Sequence, residues 1–195
     1  MAEPLFERIR ALLANRTPHV ISEALYPDQP LRPASVLVPL FLLDGEPQLV
    51  VTRRAEQLTQ HPGQIAFPGG GRDPGDADDA STALREAEEE IGLDRHQVDL
   101  LGPLDLLDTI TGFRVSPFVG AIPAGYAFKP EAEEVAAILT LPLAGFLAPG
   151  ALTVQEREVF GARRRIYGYT VAGTLVWGAT GRIVHHFLEL MTPLL

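Results

Sequence analysis

The sequence predicts an α/β protein in which helices cover a mixed β-sheet, and three observations carry that prediction. Short apolar runs bounded by Gly, Pro and Asp recur along the chain, as strands joined by turns require. Amphipathic stretches at helical spacing stand at both ends and in the middle. The middle one follows a glycine-rich turn, so loop and helix are written as one unit.

In chain order, 1–14 carries Leu5, Phe6, Ile9, Leu12 and Leu13 at helical spacing. Glu3, Glu7, Arg8 and Arg10 interrupt it, so it reads as neither signal peptide nor membrane span. A connector over 17–33 holds Pro18, Pro27, Pro30 and Pro33 and is expected to wrap the surface. Residues 1–32 are thus expected to precede a main domain over 33–195. Apolar runs at 34–43 and 47–52, separated by Asp44-Gly45-Glu46, read as a β-hairpin, and 65–68 as a short strand or extended lead-in. Beyond the central helix, 98–108 and 113–121 read as a strand pair with Thr109-Ile110-Thr111-Gly112 at its tip. A strand is expected over 134–142, a short helix over 143–147, a hairpin from 156–169 and 169–176, and a closing helix over 178–190. There Ile183, Phe187, Leu190 and Met191 line up, whereas adjacent His185 and His186 fall on different faces, which argues against a shared metal ion.

The central helix carries the chemistry. At about 100° per residue, Glu86, Glu89 and Glu90 point one way and Ala80, Leu84, Ala87 and Ile91 the other. Asp78, Asp79 and Ser81 are capping candidates at its start, and Gly92 is a natural C′ residue. A glutamate run is ordinarily a solvated face. Here the preceding loop argues otherwise. Gly69, Gly70 and Gly71 permit close approach of a ligand to the main chain, and Asp73-Pro74-Gly75-Asp76 adds a turn that a structural helix does not need. Clustered carboxylate oxygens suit Mg²⁺ or Mn²⁺, and Mg²⁺ keeps part of its shell for water and substrate phosphate oxygens.

Composition narrows the partners. A formal charge of −9 argues against a nucleic-acid surface, which wants a basic stripe. With no cysteine there is neither a disulfide framework nor a thiol nucleophile. The expectation is a cytoplasmic protein with a small-molecule substrate, no nucleic-acid or membrane partner, and a homodimer left open.

The segment from Phe67 to Leu93 resembles the Nudix box, G-x5-E-x7-R-E-U-x-E-E-x-G-U with U bulky and apolar. Its second half matches as Arg85 to Leu93. One departure is plain: the place of the first box glutamate falls on Ala77. Anchoring on Phe67-Pro68-Gly69-Gly70 implies one extra loop residue and leaves Asp76 or Asp78 as the substitute. Upstream, Leu49-Val50-Val51-Thr52-Arg53-Arg54-Ala55, Leu58, His61, Gly63 and Gln64 resemble the signature of the coenzyme A pyrophosphatase subgroup. Val115 to Gly120 and Trp177 to Thr180 are similar to further segments of it, so the resemblance covers about 33–185.

The resemblance implies a Nudix-type α/β/α sandwich with a mixed β-sheet, and a site. Glu86, Glu89 and Glu90 would bind Mg²⁺ or Mn²⁺ with a carbonyl at Gly69, and Arg85 would orient a neighbouring carboxylate. Arg53, Arg54, His61, Gln64 and Gly70 would meet the substrate. The general base is left between Glu89, the first choice, and Glu134 or Glu131. The implied reaction is hydrolysis of coenzyme A, and of related derivatives, to 3′,5′-ADP and 4′-phosphopantetheine. The alternatives are a Nudix hydrolase of ADP-ribose or a dinucleotide cofactor, and a non-catalytic nucleotide sensor.

Overall fold

The computed structural model describes residues 3–22, 30–159 and 162–194. Its strongest sequence signal, the apolar run after Pro33, forms the long central strand β2 (Arg32–Leu43). Alternation sends Leu37 and Phe41 to one face and Val38 and Leu40 to the other, and each pair joins a different core cluster. The sheet is therefore covered on both sides.

One cover is α2 (Asp79–Ile91), whose Ala83, Ala87 and Ile91 pack on Leu37, Phe41 and Val50. The expected apolar face is rotated slightly: Ala83 is fully buried, whereas Ala80 and Leu84 are only partly so. The other cover comprises α1 (Glu3–Ala14), the short α3 (Leu143–Leu147) and α4 (Gly178–Met191), which contribute Ile9, Leu13, Phe146, Val184 and Phe187. This is the α/β/α sandwich expected. None of the described helices is long and apolar enough to cross a membrane.

The hairpin forms as expected. β2 and β3 (Glu46–Arg54) meet through Asp44 and Gly45, both at positive φ (52° and 90°), the geometry for which Asp-Gly is favoured. β4 (Ile65–Ala66) and β9 (Val135–Pro142) flank β3 antiparallel, and β8 (Phe113–Ala121) runs parallel to β2. The sheet is mixed.

Four expectations need correction. The glycine loop is itself a strand, β5 (Gly69–Gly71), antiparallel to β2, because main-chain hydrogen bonding needs no side chain. The connector is not simply surface chain: β1 (Val20–Ser22) pairs in parallel with β7 (Leu106–Asp108), while 23–29 lie outside the described residues. The run 98–108 is divided into β6 (Asp99–Pro103) and β7 at Leu104-Asp105, where Asp105 turns to Arg16, His19 and His186. Finally, 156–169 is not one strand. β10 (Leu152–Val159), β11 (Ala162–Val171) and β12 (Thr174–Val176) form a separate antiparallel sheet, with Glu156 opposite Arg165 and Tyr169 opposite Val176.

Candidate active site

The acidic helix is fixed at both ends by its own sequence. Asp78 accepts from the Ser81 N–H at 2.7 Å, satisfying a first-turn donor. Gly92 ends the helix at φ 65°, and the Gly92 and Leu93 N–H groups return to the carbonyls of Glu88 and Ala87. Ser116 on β8 donates to Asp79 at 2.8 Å and ties the helix start to the sheet.

Asp76 and Asp78 have different tasks. Asp78 caps the helix, whereas Asp76 accepts from Arg85 Nε at 3.0 Å and Nη2 at 3.1 Å, from the Asp73 N–H and from the Thr82 hydroxyl. The Arg85 hydrogen bonds, chiefly, hold the Asp76 carboxyl well below its ordinary range, and Asp76 in turn raises Arg85. Arg85 also donates to the Gly71 carbonyl at 3.0 Å, and its Nη1 lies 2.9 Å from Glu86 and 2.8 Å from Glu89. One guanidinium thus spans the acid before the helix and two glutamates on it.

The three glutamates occupy different environments. Glu90 is only 5% exposed, and its carboxylate accepts from the Gly69 N–H at 3.3 Å. Burial raises its pKa to about 8, reinforced by Glu86 and Glu134 and opposed by the Gly69 N–H and Arg54. Glu86 is also raised, first by burial, against the pull of Arg85. Its carboxylate lies over Gly70, where an added Cβ would sit 2.5 Å from Glu86 Oε2. Glu89 is more exposed and turned toward Arg85. Among the described residues no three His, Cys, Asp or Glu side chains already converge as a ligand set. Donor type and charge nevertheless fit a hard divalent cation: two oxygen donors are buried beside one another with their ionised forms disfavoured, a penalty that bound positive charge reverses.

Beside Gly69 opens a cavity of about 370 Å³, within the range of ligand pockets. Arg54, His61 and Gln64 line it. Arg54 is placed by main-chain bonds to Gln64 and Gly63, and its Nε is buried without a hydrogen-bond partner among the described residues. His61 holds a left-handed backbone, φ 55°, in the Gln60-to-Gly63 turn. Arg53 is exposed and does not line the cavity. Glu131 turns its carboxylate to its own loop, accepting from the Glu133 N–H, although its backbone N–H donates to the Glu90 carbonyl. Glu134 reaches Glu86 and Glu90 through its charge.

The far wall was not assigned from sequence. Arg164, Arg165, Ile166 and Tyr167 of β11 line it with Trp177 and Arg182. The one local signal in the sequence is the resemblance of the segment from Trp177 to Thr180 to one of the coenzyme A pyrophosphatase subgroup. His185 and His186 go to separate partners: His185 stacks on Tyr167 at 3.8 Å and lies 2.7 Å from the Tyr169 hydroxyl, and His186 pairs with Asp105.

A carboxylate-bearing helix, docked on a glycine strand beside a cavity in an α/β/α sandwich, defines a class of hydrolases. Comparison then fixes the family. The NUDIX domain model matches residues 31–164. An uncharacterized Nudix hydrolase, NudL, of Yersinia pestis (strain Pestoides F) is 37% identical over 171 residues, covering 88% of this chain and 85% of its own. Its namesake in Yersinia pseudotuberculosis serotype O:1b (strain IP 31758) has the same identity and coverage. Among solved structures, a MutT/nudix family protein from Enterococcus faecalis superposes with a TM-score of 0.54 over 95% of this chain and 69% of its own, at 12% identity. The Nudix hydrolase RenU from M. smegmatis gives 0.51 over 61% and 78%, at 20% identity. The chain belongs to the Nudix family. Its class acts on nucleoside diphosphate derivatives and generally uses divalent ions such as Mg²⁺ or Mn²⁺.

Proposed function

We propose that this protein hydrolyses the diphosphate bond of coenzyme A, and of its derivatives, to 3′,5′-ADP and 4′-phosphopantetheine. The observation that carries the reading is the cavity beside Gly69 and Glu90, which draws Arg54, His61 and Gln64 from the segment resembling the coenzyme A pyrophosphatase signature.

In this reading Glu86, Glu89 and Glu90, with the Gly69 carbonyl, hold Mg²⁺ or Mn²⁺. The bound ion would acidify the attacking water and neutralise charge developing on the phosphoryl oxygens. Arg54 has a buried Nε to offer a diphosphate oxygen in a charge-assisted hydrogen bond. His61 and Gln64 border the nucleotide from the same turn, and Gly70 leaves room for Glu86. Arg85, clamped by Asp76, positions Glu86 and Glu89. A carboxylate oxygen of Glu89 takes the proton as water oxygen bonds to one phosphorus and the bridging P–O bond breaks, leaving one phosphate on each product. Glu134 is the second choice for that proton, because its charge is felt at Glu86 and Glu90.

The test is incubation with coenzyme A and Mg²⁺ or Mn²⁺, followed by mass-spectrometric identification of products. The expected result is 3′,5′-ADP and 4′-phosphopantetheine in equal amounts. Intact coenzyme A together with rapid turnover of ADP-ribose or a dinucleotide would remove the coenzyme assignment.

A further inference from the structure

The cavity has a second cationic side that hydrolysis of a diphosphate does not require. In a chain of net charge −9, four arginines contribute to the lining of one space: Arg54, Arg164, Arg165 and Arg182. They neighbour different groups. Arg54 follows β3 and its charge is felt at Glu90, whereas the charge of Arg182 is felt at Tyr169, His185 and His186. Arg164 and Arg165 are carried by β11, in the small sheet, and Arg182 by α4.

Two members of this second group have neighbours of their own. Arg182 Cζ lies 5.1 Å from the Tyr167 ring centroid, and Tyr167 is itself stacked on His185. Stacking on an aromatic face orients the planar fork of a guanidinium, a shape that matches a phosphate. Arg165 faces Glu156 at 3.6 Å with both side chains largely exposed, a weak pair that an anion of higher charge can displace.

We propose that Arg164, Arg165 and Arg182 form a subsite for a phosphomonoester of the substrate, an anionic group separate from the scissile diphosphate. The inference rests on the coenzyme reading, since the nucleotide half of that substrate bears a ribose 3′-phosphate besides its diphosphate. The catalytic helix would then cleave the diphosphate while the small sheet measures whether the nucleotide carries the extra phosphate.

Two measurements test this. In steady-state assays kcat/KM is compared for coenzyme A and dephospho-coenzyme A, which share the diphosphate and differ in the phosphomonoester. Wild type should favour coenzyme A by about tenfold or more. Arg164→Gln and Arg182→Gln should each erode that ratio several-fold, with the loss on coenzyme A exceeding the loss on the dephospho form, and Arg182→Lys should restore part of it. Equal losses on both substrates, or no preference in wild type, would overturn the subsite. The second measurement needs no turnover: Trp177, the only tryptophan, borders the cavity and reports titrations with 3′,5′-ADP and 5′-AMP. Tighter binding of 3′,5′-ADP, lost in Arg182→Gln of unchanged circular dichroism, supports the subsite even if coenzyme A is not cleaved, in which case only the substrate assignment falls. Indistinguishable affinities would defeat the subsite whatever the enzyme hydrolyses.

Discussion

Glu86 closes over Gly70 so tightly that a methyl group on residue 70 would stand 2.5 Å from its carboxylate oxygen. The obstructing atoms are the end of a flexible side chain, so Gly70→Ala should fold with little change in melting temperature while displacing Glu86. Activity is expected to fall about 10- to 100-fold, with a higher Mg²⁺ requirement, as for a disturbed metal ligand shell. At Gly69 the obstruction is the Ser35 carbonyl, 2.3 Å from an added Cβ, and backbone cannot swing aside. Gly69→Ala should therefore cost on the order of 2 kcal/mol or more in stability, read by urea denaturation.

The different duties of Asp76 and Asp78 predict different losses. Asp76→Asn removes the charge that clamps Arg85 and should lower kcat more than it lowers stability. Asp78→Ala removes the helix cap and should cost about 1 kcal/mol while sparing kcat. Paired kinetics and melting curves separate the two, and the opposite pattern would exchange the two roles.

Glu90 makes stability depend on pH. Its carboxyl ionises near 4.5 when unperturbed and near 8 in the fold, so between those values the folded protein holds a proton that the unfolded chain has released. Its stabilising contribution is complete below about 4.5 and is lost as pH rises through about 8. Metal-free protein should show a smaller melting-temperature difference from Glu90→Gln at pH 5 than at pH 8, the variant gaining as pH rises. Mg²⁺ or Mn²⁺ should stabilise wild type more at pH 8, because the ligand must be ionised to bind. Parallel melting profiles for the two proteins, with and without metal, would show that Glu90 has no such part.

The proton acceptor can be told apart by two substitutions. General-base catalysis contributes about 10²- to 10⁴-fold, so Glu89→Gln should reduce kcat by that order and flatten the acidic limb of the pH–rate profile. Glu134→Gln should stay within about tenfold, acting only through charge. If Glu134→Gln instead flattened the profile, Glu134 would be the base. Glu86→Gln, expected to abolish turnover in a folded protein, separates an enzyme from a nucleotide sensor.

The parts of this fold legible in the sequence are those written in local chemistry. Asp78 and Gly92 bracket α2 because a cap and a left-handed C′ residue need only their neighbours. Asp44-Gly45 likewise turns the first hairpin. Strand pairing is a different matter: β5 has no side chains to alternate, and β1 pairs with β7 across more than 80 residues. In the candidate site, Arg85 lies against Glu86 and Glu89, Glu90 accepts from the Gly69 N–H, and Arg53 does not line the cavity with Arg54. Arg182 is not legible beside Tyr167 in the sequence, because the packing of α4 on β11 makes them neighbours.

The family match ends at residue 164, yet Ile166, Tyr167, Trp177 and Arg182 of the cavity lie beyond it. The acidic helix and the far wall of the cavity thus come from different parts of the chain, closed on one core. Retargeting such a scaffold becomes a problem of redrawing its carboxy-terminal third, with the hydrolytic segment left untouched.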